Sequence, residues 1–236
     1  MSTREVPLLV EIIGPAGAGK STLLGELGRQ CPTLSLFADR LQVRDLKNLP
    51  FYVGSGLAAL PTLFRPSGQG RWYTKEEISR ILYLVGMPLH FQRQQRCGDL
   101  TVVDQGPIFE LTQLCAFGPA RLNDPALAAW WAARFQRWAP MLPLVVWLDA
   151  PDAVLIPRIH GRTQAHVIKE FTAEESQTML ARYRTSFRAV MTQLQRYAPI
   201  QVLAFTTDCA STEQIAQQIV QGIEQIVYRN DSKKNI

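Results

Sequence analysis

Eight consecutive residues near the start of the chain, Gly14-Pro15-Ala16-Gly17-Ala18-Gly19-Lys20-Ser21, are suited to gripping an anion. Glycine accepts left-handed backbone, so a loop carrying three of them can turn several N–H groups inward at one point. A helix beginning beside Lys20 adds the positive end of its dipole. Lys20 brings a point charge for the β- and γ-phosphates. The Ser21 hydroxyl can ligate Mg²⁺, with Thr22 in support. The spacing satisfies G-x-x-x-x-G-K-[ST] in full, between an apolar run (Leu8–Ile13) and an amphipathic one carrying Leu23, Leu24 and Leu27. The expected ligands of Gly14–Thr22 are therefore ATP and Mg²⁺.

A magnesium-bearing cradle calls for a carboxylate opposite Ser21, at the C-terminal end of a neighbouring parallel strand. Asp104 and Asp149 both end apolar runs. Asp104 is the better candidate. Gly106 permits close approach, and Pro107 suits the first turn of a helix. Asp149 precedes Ala150-Pro151-Asp152, a helix-start sequence, and is expected to cap or orient that helix. Further on, Arg158 and Arg162 are spaced by four around Gly161, so both can stand on one side of a helix end. Arginines closing over a transferring phosphoryl group stabilise its equatorial oxygens. The plainer reading of this segment is a solvated basic turn. Arg182 and Arg184 are weaker candidates.

The elements that must position these residues alternate. Apolar runs at Leu8–Ile13, Leu34–Ala38, Leu100–Asp104, Leu144–Asp149 and Ile200–Thr206 are nearly continuous, as strands buried on both faces are. Helical segments lie at Ser21–Gln30, Lys75–Arg96, Pro125–Trp138, Ala173–Tyr197 and Ser211–Tyr228. Thr74-Lys75-Glu76-Glu77 supplies a capping box, and Pro88 is expected to kink or end its helix. This alternation predicts an α/β domain with a parallel sheet covered by helices on both faces. Asp39–Tyr73, rich in Pro and Gly, is an insertion beside the sheet or a loop-rich plug.

Composition narrows the rest. The 236 residues are 47% apolar with a net charge of +5, enough for one large domain and too apolar for a disordered chain. The charge excess suits phosphate ligands, but no dense Lys/Arg block points to nucleic acid. No apolar run is long enough to span a membrane, and the first residues lack the order of a secretion signal, so a cytoplasmic location is expected. Cys31, Cys97, Cys115 and Cys209 have no metal or redox spacing, and His90, His160 and His166 are scattered.

From Leu8 to about Ile226 the chain resembles the P-loop nucleoside and nucleotide kinases, most closely the thymidylate kinase-like branch. The likeness rests on Gly14–Thr22, Val102-Val103-Asp104-Gln105-Gly106 and Leu148-Asp149-Ala150-Pro151. It rests also on Arg158-x-x-x-Arg162 and on Phe205-Thr206-Thr207-Asp208 with Ser211–Ile215. It implies a three-layer α/β/α P-loop NTPase fold: a five-stranded parallel sheet, order 2-3-1-4-5, with helices on both faces and a lid. Residues 1–229 would form one domain, with 39–96 an acceptor-side insertion, 156–172 the lid, and 230–236 a flexible tail. Asp208–Ser211 would lie near the adenine. The implied activity is transfer of the γ-phosphoryl of ATP to a small-molecule acceptor by Lys20, Asp104, Arg158 and Arg162, with Ser21 and Asp104 on the metal. A homodimer is compatible with it. Two departures stand out. Gln105 replaces the arginine that engages an acceptor phosphate in thymidylate kinases, and Ala38-Asp39-Arg40-Leu41 replaces an arginine-proline signature. Asp39 falls where deoxynucleoside kinases carry an acidic general base, which implies a hydroxyl acceptor; an ion pair with Arg40 is the other reading. Phe51, Tyr52, Phe64, Trp72, Tyr73, Phe91 and Gln92 are available to an acceptor pocket. The competing function is a nucleotide-dependent ATPase or switch acting through a protein partner, with Trp130, Trp131 and Trp138 as the contact surface. An Asn/Thr-Lys-x-Asp guanine signature is absent.

Overall fold

The structure, a computed structural model, describes residues 8–32, 34–37, 71–94, 100–163 and 166–234, with residues 54, 56, 57, 59, 60 and 63. Its sheet holds strands β1 (Leu8–Ile13), β2 (Ser35–Phe37), β3 (Leu100–Asp104), β4 (Leu144–Asp149) and β5 (Gln201–Thr206). They lie in the order β2-β3-β1-β4-β5, and every pair is parallel. Parallel strands need crossovers. Helices α1 (Lys20–Gln30), α2 (Lys75–Gln94), α3 (Pro107–Phe117), α4 (Ala128–Trp138), α5 (Asp152–His160), α6 (Ala173–Leu194) and α7 (Thr212–Lys234) supply them.

Side chains alternate across a strand, so each strand feeds two cores. Leu9, Ile13, Val103 and Val145 pack beneath Ile81, Leu84, Leu111, Trp138, Phe187 and Val190, on the face covered by α2, α3, α4 and most of α6. Val10, Ile12, Val102 and Val146 face Leu23, Leu27, Leu155, Ile215 and Ile219, beneath α1, α5 and α7. Strand β5, read from sequence as buried on both faces, is an edge strand whose exposure alternates, because only β4 pairs with it.

Local signals explain the helix starts. Thr74 and Glu77 form the expected capping box: the Thr74 N–H donates to Glu77 Oε2 at 2.8 Å and the Glu77 N–H to Thr74 Oγ1 at 3.2 Å. Thr172 and Glu175 do the same for α6. Pro88 does not end α2, which runs on to Gln94. A proline removes the N–H that would bond the carbonyl four residues back. Here that carbonyl, Leu84 O, accepts instead from the indole Nε1–H of Trp138 at 3.1 Å. Trp138 is fully buried, and Trp130 and Trp131 pack against the same core, so this helix face is turned inward. Ala59 and Leu63, within the stretch read as insertion or cover, are buried in that core too, as are Ile81 and Met87 of α2. Residues 230–234, expected to be a flexible tail, continue α7. Among the described residues no helix is long and apolar enough to cross a membrane.

Candidate active site

The loop between β1 and α1 is built around two glycines in the left-handed region, Gly17 and Gly19, both at φ 85°. Gly14 is glycine for a different reason. A Cβ there would lie 2.0 Å from the Leu148 carbonyl oxygen of β4, so the loop can pass the strand only without a side chain. Over Gly19 there is open space. The Ala18 N–H closes a turn on Pro15 O at 3.3 Å. Lys20 folds back over the loop, its Nζ donating to Gly14 O at 2.8 Å and Pro15 O at 3.0 Å. Burial pushes this ammonium down to about pKa 8; Asp104 pulls it back up and Arg162 adds to the lowering. Ser21 and Thr22 are exposed on the first turn of α1.

Asp104, at the end of β3, is the charge that faces Lys20. Burial raises its pKa, and Lys20 and the Gln105 N–H oppose the rise. Its Oδ1 is buried without a hydrogen-bond partner. An orphaned carboxylate oxygen is costly unless something occupies it, and a hydrated cation between Ser21 and Asp104 would satisfy it. The donor set, a hydroxyl and a carboxylate, is the hard oxygen chemistry that Mg²⁺ takes. The residues present therefore fit both a polyphosphate and its metal. Asp149, by contrast, is engaged: Arg184 donates to it through Nε at 2.8 Å and Nη2 at 3.0 Å, and to Asp152 through Nη1 at 2.7 Å. Arg182 lies over the Phe117 ring.

Arg158, in the last turn of α5, and Arg162, just beyond it, open onto one cavity of about 420 Å³ with Gly17, Gly19, Thr22 and Thr207. Arg158 is tied to the loop after β5, donating to Thr207 Oγ1 at 3.0 Å and Thr207 O at 3.4 Å. That places Arg158 on the wall remote from Asp104, while Arg162 is felt electrostatically by Lys20. His166 lies beside this cationic group, and burial together with Arg162, Lys20 and Lys169 lowers its pKa, favouring the uncharged imidazole. Asp39, Phe51, Tyr52 and Phe64 lie outside the described residues. Of the other pocket candidates, Phe91 and Tyr73 are buried in the core. Gln92 accepts from Arg137, and Trp72 lies beneath the Arg121 guanidinium at 4.6 Å.

A family profile described as an AAA domain matches residues 9–186, which takes in Gly14–Thr22, Asp104, Arg158 and Arg162. The chain belongs to the AAA domain family. Solved structures, among them a deoxyadenosine kinase and a thymidylate kinase, align along nearly all of this chain. The YorR protein from Bacillus subtilis, in complex with phosphorylated GDP, is 15% identical over 92% of this chain and 95% of its own, at a TM-score of 0.52. Deoxyadenosine kinase from M. mycoides with bound dATP is 12% identical over 92% and 100%, at 0.52. Thymidylate kinase from Candida albicans is 14% identical over 93% and 92%, at 0.51. No curated protein matches the sequence significantly. At these identities the structures establish the fold.

One residue of this AAA domain escaped sequence reasoning. Glu11 interrupts the apolar run of β1 and is completely buried. Its Oε2 accepts from the Ile108 N–H and its Oε1 from the Phe109 N–H, each at 2.8 Å. The signal was available: a carboxyl in the centre of a strand otherwise made of Leu, Val and Ile needs a buried partner. On the same face the Tyr183 hydroxyl is buried without a partner, among Glu11, Asp104, Arg80 and Glu110. Arg80 and Glu110 form an ion pair between α2 and α3.

Proposed function

We propose that the protein is a P-loop kinase of the thymidylate kinase-like kind, moving the γ-phosphoryl of ATP, with Mg²⁺, to a small-molecule acceptor. One observation carries this reading: Lys20 curls over its own loop carbonyls, and the buried Asp104, one of whose oxygens lacks a partner, acts on it electrostatically. In that arrangement the loop holds an ammonium ready for a polyphosphate. The tail takes over the ammonium from Gly14 O and Pro15 O, and the N–H groups of residues 19–21 line the phosphate path.

The chain's own residues then divide the work. Gly14–Thr22 bind and orient the phosphates. Ser21 and Asp104 would hold the metal, which would supply neutralisation of the phosphate charge. Arg158, fixed to Thr207, flanks the nucleotide on the base side. Arg162, which opens on the same cavity and is sensed by Lys20, serves the transferring phosphoryl. An acceptor oxygen bonds the γ-phosphorus as the bond to the β–γ bridging oxygen breaks, ADP leaves, and the acceptor proton passes to a base, for which Asp39 is the candidate. Gln105 in place of an arginine favours a hydroxyl acceptor over a phosphate.

The experiment is a screen of ADP release from ATP and Mg²⁺ with nucleosides, nucleoside monophosphates and small alcohols. Stimulation of about tenfold or more by one class supports the reading. Absence of ATP binding defeats it. The switch alternative predicts that turnover answers to a protein and to none of these compounds; of the surface it would use, Trp138 is buried in the core, and Trp130 and Trp131 are half-buried against it.

A further inference from the structure

Helix α3 starts immediately after the acid of the site, through Asp104-Gln105-Gly106-Pro107. Its first turn leaves N–H groups that need acceptors, and a helix normally finds one on its own N-cap side chain. The N-cap here is Gly106, which has none. The acceptor comes from another strand instead: the Glu11 carboxylate takes the Ile108 and Phe109 N–H groups, both at 2.8 Å. The fit is close. A Cβ on Gly106 would lie 2.9 Å from the Glu11 carboxyl carbon and 2.7 Å from Val103 Cγ2. Between this anchor and Asp104 stands Gln105 at φ 55°, the non-glycine residue with positive φ among the described residues. Backbone in that region persists only where the surroundings impose it.

Strand β1 therefore carries the anchor at Glu11 and opens into the cradle at Gly14. We propose that Glu11 is a positioning residue: by pinning the first turn of α3 it holds the strained Gln105 turn, and with it the Asp104 carboxyl, in register with Lys20. The proposal rests on the reading of this site as a magnesium–nucleotide site. Position 106 has no room for a side chain that could cap the helix locally; the cap drawn from the cradle strand ties acid and cradle into one rigid unit.

The test is Glu11→Gln, which keeps the shape but turns an amide N–H₂ toward one of the two backbone donors, with Gly106→Ala as a second perturbation from the opposite side. Three readouts are taken on the full chain. Hydrogen exchange at Ile108 and Phe109 should quicken tenfold or more, while exchange in β4 and α7 stays as in wild type. Affinity for fluorescent mant-ADP in EDTA should stay within twofold. The factor by which Mg²⁺ tightens mant-ADP should fall fivefold or more, with saturating turnover down tenfold or more and KM for ATP within threefold. Faster exchange at these two amides with a wild-type Mg²⁺ response would make Glu11 a cap only and overturn the proposal, as would unaltered exchange. Should Glu11→Gln not fold, Gly106→Ala decides by the same criteria. Failure of the wild-type protein to bind mant-ADP is a separate outcome, which removes the nucleotide reading and the proposal with it.

Discussion

Methionine at position 20 keeps the length of the side chain while removing its charge and its donors. In the folded chain without nucleotide, the Lys20 ammonium is disfavoured, its pKa falling from 10.5 to about 8 under burial. At ~1.36 kcal/mol per pH unit this sets a ceiling of about 3 kcal/mol on the destabilisation it causes. Against this stand its two bonds to Gly14 O and Pro15 O, each contributing roughly 1 kcal/mol. Lys20→Met should thus leave the nucleotide-free protein about 1 kcal/mol more stable, a rise of roughly 2–4 °C in midpoint for a chain of this size. The sign has a pH signature. Below about pH 8 Lys20 is charged in both folded and unfolded chains and the penalty is complete. Between about 8 and 10.5 the folded chain releases the proton while the unfolded chain keeps it, so wild-type stability rises and the gap to the variant closes. Thermal unfolding at pH 7 and 9.5, with and without ATP, reads all of this, and ADP release reads the loss of transfer. A midpoint lowered by more than about 5 °C, several times the shift worked out above, would show that the lysine holds the loop together. Retained ATP binding and turnover would refute the cradle.

Three further outcomes follow from the same geometry. Arg158→Ala, which loses the Thr207 bonds, should raise KM for ATP several-fold with turnover at saturation nearly kept, whereas Arg162→Ala should lower turnover tenfold or more with little change in KM; steady-state kinetics of the two variants separates them. Gly14→Ala forces a Cβ to within 2.0 Å of a backbone oxygen and should unfold the protein or shift the loop, while Gly19→Ala meets open space and should cost only about 1–2 kcal/mol of left-handed strain, as chemical denaturation would show. If Asp39 is the acceptor base, Asp39→Asn should reduce turnover about a hundredfold at unchanged ATP affinity, and a wild-type rate would take it out of the mechanism.

Much of the site was legible because its chemistry is local. The cradle is eight adjacent residues, and its glycines, lysine and serine sit in the same order in the chain as in space. The alternation of strand and helix, and hence a parallel sheet covered on both faces, follows from periodicity and from crossovers that parallel strands require. Pro88 does not end its helix, for a non-local reason: the carbonyl it strands, Leu84 O, is taken by Trp138, 54 residues on in the chain. The two arginines were legible as a pair, but their division was not, since only the approach of the loop after β5 brings Thr207 to Arg158.

The amino-acid order by itself determined that residues 14–22 form a loop suited to an anion, because backbone N–H groups, a helix start and an ammonium are supplied there by consecutive positions. It also nominated Asp104, through the apolar run that ends on it and the Gly-Pro pair that follows. Tertiary structure decided everything that depends on one element reaching another. It fixed Asp149 on Arg184, leaving Asp104 as the carboxylate that meets Lys20, and it set Glu11 beneath the first turn of α3, 97 residues away from Ile108 in sequence. A buried polar group is tolerated only where the fold brings it a partner, and partners that distant are chosen by the packing of the sheet, which no local pattern encodes.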